Sequence, residues 1–320
     1  MQTITAFLKL IRIVNLLIIA LSLYLFYYLI LVPVHADKLQ TSLVPFTNFE
    51  FALFTISVML IAAAGNVIND YYDHELDREY KPERPLAQGI FSLDAAMYIH
   101  AVLAFGGIGI GFYLGWNNSN YKLVYIYIIC VILLYVYSAY LKKIALVGNL
   151  VVSALAGFVF VLLLLFEANL LNMIHFENAG FVFSILKFQV MFYGGFAFIT
   201  TLLREIVKDL EDYEGDAAYD INTLPVAYGV TFAKAVALFV AAILLTVVGY
   251  FAYNFHQSGA LYHGMYLTGA VALPTIAVIA VLTKAKQKQD YAKVSTLVKV
   301  VMLLGILSIP AFYWFSKMAQ

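Results

Sequence analysis

Along this chain, apolar stretches long enough to cross a bilayer alternate with short polar segments. A spanning helix needs about 20 mainly apolar residues, and Ile13–Val34 supplies 22 without a charge. That exceeds the roughly 7–15-residue apolar core of a cleaved signal peptide, so a retained helix is expected. Eight further spans follow, at about 45–69, 95–116, 121–141, 147–167, 180–206, 230–253, 261–283 and 294–316. The pattern therefore predicts an all-α integral membrane protein with nine transmembrane helices. Glycines inside the spans, such as Gly106, Gly107, Gly109 and Gly111, suit close helix packing in lipid, where small residues let backbones approach. No loop exceeds about 25 residues and no Ser/Pro/Gly-rich linker interrupts the pattern, so residues 1–320 are expected to form a single polytopic domain.

Composition agrees with the pattern. The chain is 63% hydrophobic and only 12% charged, against about 25% charged residues in a soluble domain. The 19 basic and 19 acidic residues cancel, and a nucleic-acid partner would need a basic excess gathered on one face, so that class is excluded. The one cysteine, Cys130, rules out an intrachain disulfide and a multi-cysteine metal site. With nine spans, 14 Lys and Arg residues fall on the N-terminal side. Only Lys38, Lys122, Lys187 and Lys317 fall on the other, while Lys299 lies within the last span near its inner end. By the positive-inside bias the N-terminus is expected in the cytoplasm and the C-terminus outside, in the cell (inner) membrane.

The acidic residues change the picture, because 13 of the 19 crowd into Asp70–Glu83 and Glu205–Asp220. Asp70, Asp73 and Asp77 recur as Asp209, Asp212 and Asp216, the same spacing displaced by 139 residues. A hidden duplication follows, most simply two four-helix pseudo-repeats plus one helix around a central cavity. At about 100° per residue, Asn66, Asp70, Asp73 and Asp77 share a stripe about 60° wide on one helix, and Glu205, Asp209, Asp212 and Asp216 repeat it. Four crossings separate the windows, so both are expected on the cytoplasmic face. Carboxylates so gathered repel unless cations neutralise them. Mg²⁺ suits this role, since it uses one or two carboxylates together with substrate phosphates. Neither window has the alternating ligands and central glycine of a calcium loop.

Two stretches carry a specific resemblance. The first is Asn69-Asp70-Tyr71-Tyr72-Asp73-His74-Glu75-Leu76-Asp77-Arg78 with Pro82-Glu83-Arg84-Pro85 and Gly89. The second is Arg204-Glu205-Ile206-Val207-Lys208-Asp209-Leu210-Glu211-Asp212-Tyr213-Glu214-Gly215-Asp216 with Thr223-Leu224-Pro225 and Tyr228-Gly229. They resemble the two signatures of the UbiA superfamily of intramembrane prenyltransferases, over the whole chain. The run Lys208–Asp216 resembles the corresponding motif of its digeranylgeranylglyceryl phosphate synthase-like members. Ala217 and Ala218, Asp220, and Ala87-Gln88 depart from that pattern, in which basic residues, a Gly and a Pro-Ser are usual.

The resemblance implies a lipid-biosynthetic enzyme that transfers a polyprenyl group, here geranylgeranyl, from its diphosphate to a lipophilic acceptor, a geranylgeranylglyceryl phosphate-type ether lipid. Mg²⁺ is the implied cofactor, with Asp70, Asp73, Asp77, Asp209, Asp212 and Asp216 as catalytic and metal-binding residues and Asn66 as a further metal ligand. Arg12, Asn15, Asn66, Asn69, Arg78, Arg84, Lys142, Lys143, Arg204 and Lys208 are the candidates for the diphosphate, Arg12 and Asn15 through an R-x-x-N arrangement that resembles the family's first helix. The alternatives are prenylation of an aromatic quinone precursor or a chlorophyllide-type acceptor and, in another class, a cation or proton-coupled transporter built on the same carboxylates. His74, between the motif aspartates, is a plausible neighbour of the site. The many Tyr and Phe residues offer aromatic walls without singling one out.

Overall fold

The computed structural model describes residues 2–36, 46–173 and 179–318. Among them, nine helices are long and apolar enough to cross a membrane. The chain begins with α1 (Gln2–Leu10) and α2 (Ile13–Val34). The first motif lies at α3 (Asn48–Tyr72) and α4 (His74–Tyr80), followed by α5 (Leu93–Asn117), α6 (Val124–Ala139) and α7 (Val147–Met173). Helix α8 (Ala179–Ala218) carries the second motif, and α9 (Leu224–Tyr228), α10 (Val230–Gln257), α11 (Leu261–Lys284) and α12 (Lys288–Met318) complete the order. The expected spans are all present. Lys38 and the expected first residue of the second span, residue 45, lie outside the described residues.

Helices α3 and α8 run on past their apolar stretches, α3 as far as the first aspartate of the first acidic motif and α8 through the whole of the second. Helix α3 starts on a capping box in which Thr47 Oγ1 accepts from the Glu50 amide and Glu50 accepts from the Thr47 amide, satisfying amides that would otherwise lack partners. It runs on to Tyr72, past the last purely apolar turn. Helix α8 continues without a break through Asp216.

The residues gather into two compact units. The first comprises the described residues of Met1–Tyr24, His35–Lys142 and Leu162–Ser184. In it, α3 packs against α5 and α6 through small residues. A Cβ on Gly107 would lie 2.7 Å from Ile61 and 3.1 Å from the Ser57 carbonyl, one on Gly111 would lie 2.7 Å from the Tyr127 ring, and one on Gly65 would lie 3.0 Å from Leu134. Gly106 and Gly109 meet nothing so close, so two of the four expected packing glycines serve that purpose. Leu10, Ile11, Leu16, Ala63, Val67, Leu86 and Ala96 form a core that seats the start of α2 and the loop after α4 beside α3.

The second unit comprises Leu25–Val34, Lys143–Val161 and the described part of Ile185–Gln320. Here α7 and α8 cross with backbones in contact: a Cβ on Gly157 would lie 2.6 Å from the Gly194 carbonyl oxygen, and one on Gly194 would lie 3.0 Å from that of Gly157. Helix α12 lies against α8, with Gly305 under the Phe196 ring and Tyr193 Oη 3.3 Å from Ser308 Oγ. Leu203, Ile206, Val207, Ala237, Ala241, Val294, Val298 and Val301 belong to one buried cluster, which fixes α8 against α10 and α12 just before the second motif.

Candidate active site

In the first unit the site is built around Asp70, which is buried in the last turns of α3. Burying a carboxylate is costly unless cations or hydrogen-bond donors pair with it. Two guanidinium groups do so: Arg12 Nη2 lies 2.8 Å from Asp70 Oδ1, and Arg84 Nη1 pairs with the same oxygen. Arg12 stands in the two-residue break between α1 and α2 with φ 55°, a left-handed conformation uncommon outside glycine. Its amide bonds the Lys9 carbonyl and its carbonyl accepts from Asn15. Arg84 returns through the turn after α4, whose amides close on Lys81, Arg84, Pro85 and Leu86 carbonyls and whose Gly89 takes φ 70°.

The expected unbroken stripe over Asn66, Asp70, Asp73 and Asp77 needs correction. Helix α3 stops at Tyr72, Asp73 takes φ −92° and ψ 0°, and α4 restarts at His74. The cause is local: Asp73 is held by Asn69 Nδ2 at 2.9 Å and by Lys142 Nζ, and a short acidic side chain with such partners favours a helix end over a helix interior. The restarted turn carries Leu76 and Asp77 inward. Burial pushes the Asp77 carboxyl up to about 6, Arg84 opposes the rise, and Asp73 and Asp70 add to it. Asn66 uses its amide nitrogen to reach the Ile11 carbonyl at 2.9 Å, tying α3 to the chain just before Arg12.

In the second unit the stripe survives intact, with Glu205, Asp209, Asp212 and Asp216 on uninterrupted α8. Asn149 Nδ2 on α7 donates to Asp209 Oδ2 at 2.9 Å. The charged neighbours acting on Asp209 are Glu205, Asp216 and Asp212, all acidic. Thr223 Oγ1 donates to Asp216 Oδ2 at 3.1 Å. Thr223 stands at the N-cap of α9 without capping it by its side chain; its hydroxyl is turned to Asp216. Asp220 takes φ 53°, which explains a glycine in the resembling pattern; Asp tolerates this conformation better than most residues. A parallel bridge between Ile144 and Asn222 joins the loops on either side. Arg204 pairs with Glu205 at 2.5 Å, and Lys208 lies 3.2 Å from Glu211 and 3.4 Å from Asp212.

Of the expected site residues, the fold thus brings Arg12, Asn69, Arg84 and Lys142 onto the first set of aspartates and Lys208 onto the second. Arg204 touches Glu205, and Asn15, Arg78 and Lys143 are exposed. His74, next to Asp73, is half-buried. Asn149 and Thr223 were not among the candidates. The signal for Asn149 was an amide in an otherwise apolar span, costly unless used; Thr223 had only its place after the motif.

These residues fit a hard divalent cation. Asp77 Oδ2 is buried with no hydrogen-bond partner among the described residues, Arg84 Nη1 lying 3.7 Å away, and Asp209 is crowded by acidic neighbours. No three His, Cys, Asp or Glu side chains among the described residues converge tightly enough to hold an ion alone. An ion taking one or two carboxylates and completing its shell with water and phosphate oxygens meets both observations.

The helices and the two aspartate motifs, each with arginine or lysine side chains paired to its carboxylates, define an intramembrane protein. The model of the UbiA prenyltransferase family matches residues 30–305, and the chain belongs to that family. It is similar to digeranylgeranylglyceryl phosphate synthase of Methanosphaera stadtmanae, 33% identical over 262 residues, covering 82% of this chain and 87% of that one. The enzyme of the same name from Methanopyrus kandleri is 36% identical over 256 residues, covering 80% and 84%. Among solved structures, a UbiA homolog from Archaeoglobus fulgidus bound to GPP and Mg²⁺ superposes with TM-score 0.57 at 16% identity, over 95% of this chain and 99% of that one. Family membership selects a membrane prenyltransferase over a transporter.

Proposed function

We propose that this protein transfers a geranylgeranyl group from its diphosphate to a geranylgeranylglyceryl phosphate-type ether lipid in an Mg²⁺-dependent reaction. The carrying observation is the intact Lys208–Asp216 motif, in a chain one-third identical over most of its length to synthases of that name. In the reaction the bond from prenyl C1 to the diphosphate oxygen breaks, a bond to the acceptor hydroxyl oxygen forms, and the hydroxyl proton leaves to water. Mg²⁺, when bound, neutralises charge developing on the leaving diphosphate and orients it. Asp70, Asp73, Asp77, Asp209, Asp212 and Asp216, with Asn66, would hold it, and both motifs are required. Arg12, Arg84 and Lys142 are poised to exchange carboxylate for diphosphate oxygens, with Asn15, Asn69, Arg78, Lys143, Arg204 and Lys208 as further contacts. Guanidinium suits this because it binds carboxylate and phosphate in the same forked geometry.

The motifs face the cytoplasm in this reading, with the N-terminus inside and the C-terminus outside; the 14-to-4 bias of basic residues supports it. Sealed inside-out vesicles given the charged donor and Mg²⁺ from outside test both parts. The unaltered protein is expected to transfer, and Asp70→Ala and Asp209→Ala are each expected to abolish transfer. Activity in both variants would remove the aspartates from the chemistry, and transfer confined to right-side-out vesicles would invert the orientation.

A further inference from the structure

Thr223 closes the loop that follows the second motif, and the backbone holds it in place from both sides. The chain leaves α8 at Ala218, turns through Asp220 at φ 53° and folds back on the helix it left. The Ile221 amide bonds the Asp216 carbonyl at 2.9 Å, and the Thr223 amide bonds the Ile221 carbonyl at 2.8 Å. Asn222 bridges to Ile144 before α7, and the Thr223 carbonyl accepts from the Ala227 amide at 2.8 Å. Leu224, next in the chain, packs in the same buried cluster as Leu210 of α8. A threonine at the start of a helix ordinarily spends its hydroxyl on an amide of the first turn. Here that bond is absent, and Oγ1 donates to Asp216 Oδ2 at 3.1 Å, with both residues buried. Asp77, which stands in the first motif where Asp216 stands in the second, has a buried Oδ2 with no hydrogen-bond partner among the described residues.

A carboxylate near the end of a helix turns about its own side-chain bonds, and a hydrogen bond from a group anchored outside that helix removes part of this freedom before any ion arrives. Partners of this kind orient metal-binding carboxylates, and losing one costs about 10–100-fold in metal affinity. We propose that Thr223 is a positioning residue for divalent-cation binding, holding the Asp216 carboxylate in the orientation that receives Mg²⁺. The proposal rests on the reading above in which the aspartates hold Mg²⁺, and it adds the hydroxyl that prepares one of them. It gives the loop after the second motif a task that its sequence does not announce: the turn at Asp220 carries the chain back far enough for residue 223 to reach residue 216.

Two titrations of the full chain in nanodiscs test this in Thr223→Val and Thr223→Ser: transfer against Mg²⁺ concentration, and binding of Mn²⁺ alone, followed by loss of the free-ion EPR signal. Valine keeps the branched shape and removes the hydroxyl; serine keeps the hydroxyl. For Thr223→Val, the Mg²⁺ concentration for half-maximal transfer and the Kd for Mn²⁺ are each expected to rise about 10–100-fold. Its kcat should recover at saturating Mg²⁺, with KM for the acceptor unchanged, and Thr223→Ser should restore both metal affinities. A mere loss of folded protein would lower the rate at every Mg²⁺ concentration without moving the half-saturation point. Thr223→Ala takes the place of the valine variant if valine prevents folding. Unmoved Mg²⁺ half-saturation and Mn²⁺ affinity without the hydroxyl, or an equal loss in Thr223→Ser, would overturn the proposal while leaving the aspartates as metal ligands. No binding of Mn²⁺ by the unaltered protein would overturn the metal reading and the proposal with it.

Discussion

Asp70 and Asp209 occupy equivalent places in the two motifs yet meet different partners. Asp70 is neutralised by Arg12 and Arg84, whereas Asp209 is oriented by the uncharged Asn149 amide among acidic neighbours. A carboxylate already carrying two guanidinium groups needs a rearrangement before it takes a metal ion; one held by an amide does not. Removing the amide should therefore be felt in the metal. Asn149→Ala is expected to raise the Mg²⁺ concentration required for half-maximal transfer about 10–100-fold, the usual cost of losing a group that orients a ligand; an unchanged Mg²⁺ dependence would show that Asp209 needs no such support. The aspartates themselves were legible in the sequence because thirteen carboxylates in two windows have no packing explanation. Asn149 was not, because a single amide in an apolar span announces a cost without naming its partner 60 residues away.

Helix ends follow a similar division between what periodicity reveals and what it hides. Nine spans could be read from apolar length alone, since lipid forces backbone hydrogen bonds to close within each segment. The break at Asp73 was hidden, because angular spacing assumes a continuous helix and cannot see Asn69 and Lys142 holding one aspartate at a helix end. Close helix contacts are likewise visible only as glycines in the sequence, and only some of them carry load. At the α7–α8 crossing, Gly157 and Gly194 each face the other's carbonyl, leaving no room for a side chain. Gly157→Val should force the helices apart and destabilise the protein by about 1–3 kcal/mol, as overpacking does. Gly109→Val, with nothing within 4 Å of the added Cβ, should cost far less. Thermal unfolding of both variants in detergent measures the difference, and equal midpoints would contradict the crossing.

Taken over the full chain, the neutral charge conceals an uneven placement: 13 of the 19 carboxylates lie in two short windows, while the basic residues are spread over many loops. The duplication is visible in aspartate spacing but is not carried through the helices, since the first copy is broken and the second continuous. The acceptor is the part of the account that composition and periodicity leave open; the proposal for it rests on the second motif and on similarity to relatives named digeranylgeranylglyceryl phosphate synthase. Mass spectrometry of the products formed by the purified protein with geranylgeranyl diphosphate and Mg²⁺ decides it, with glyceryl phosphate ether lipid, naphthoate, hydroxybenzoate and chlorophyllide offered together. The expected product is a digeranylgeranylglyceryl phosphate. A prenylated aromatic or chlorophyllide product, with the ether lipid left unreacted, would contradict this account.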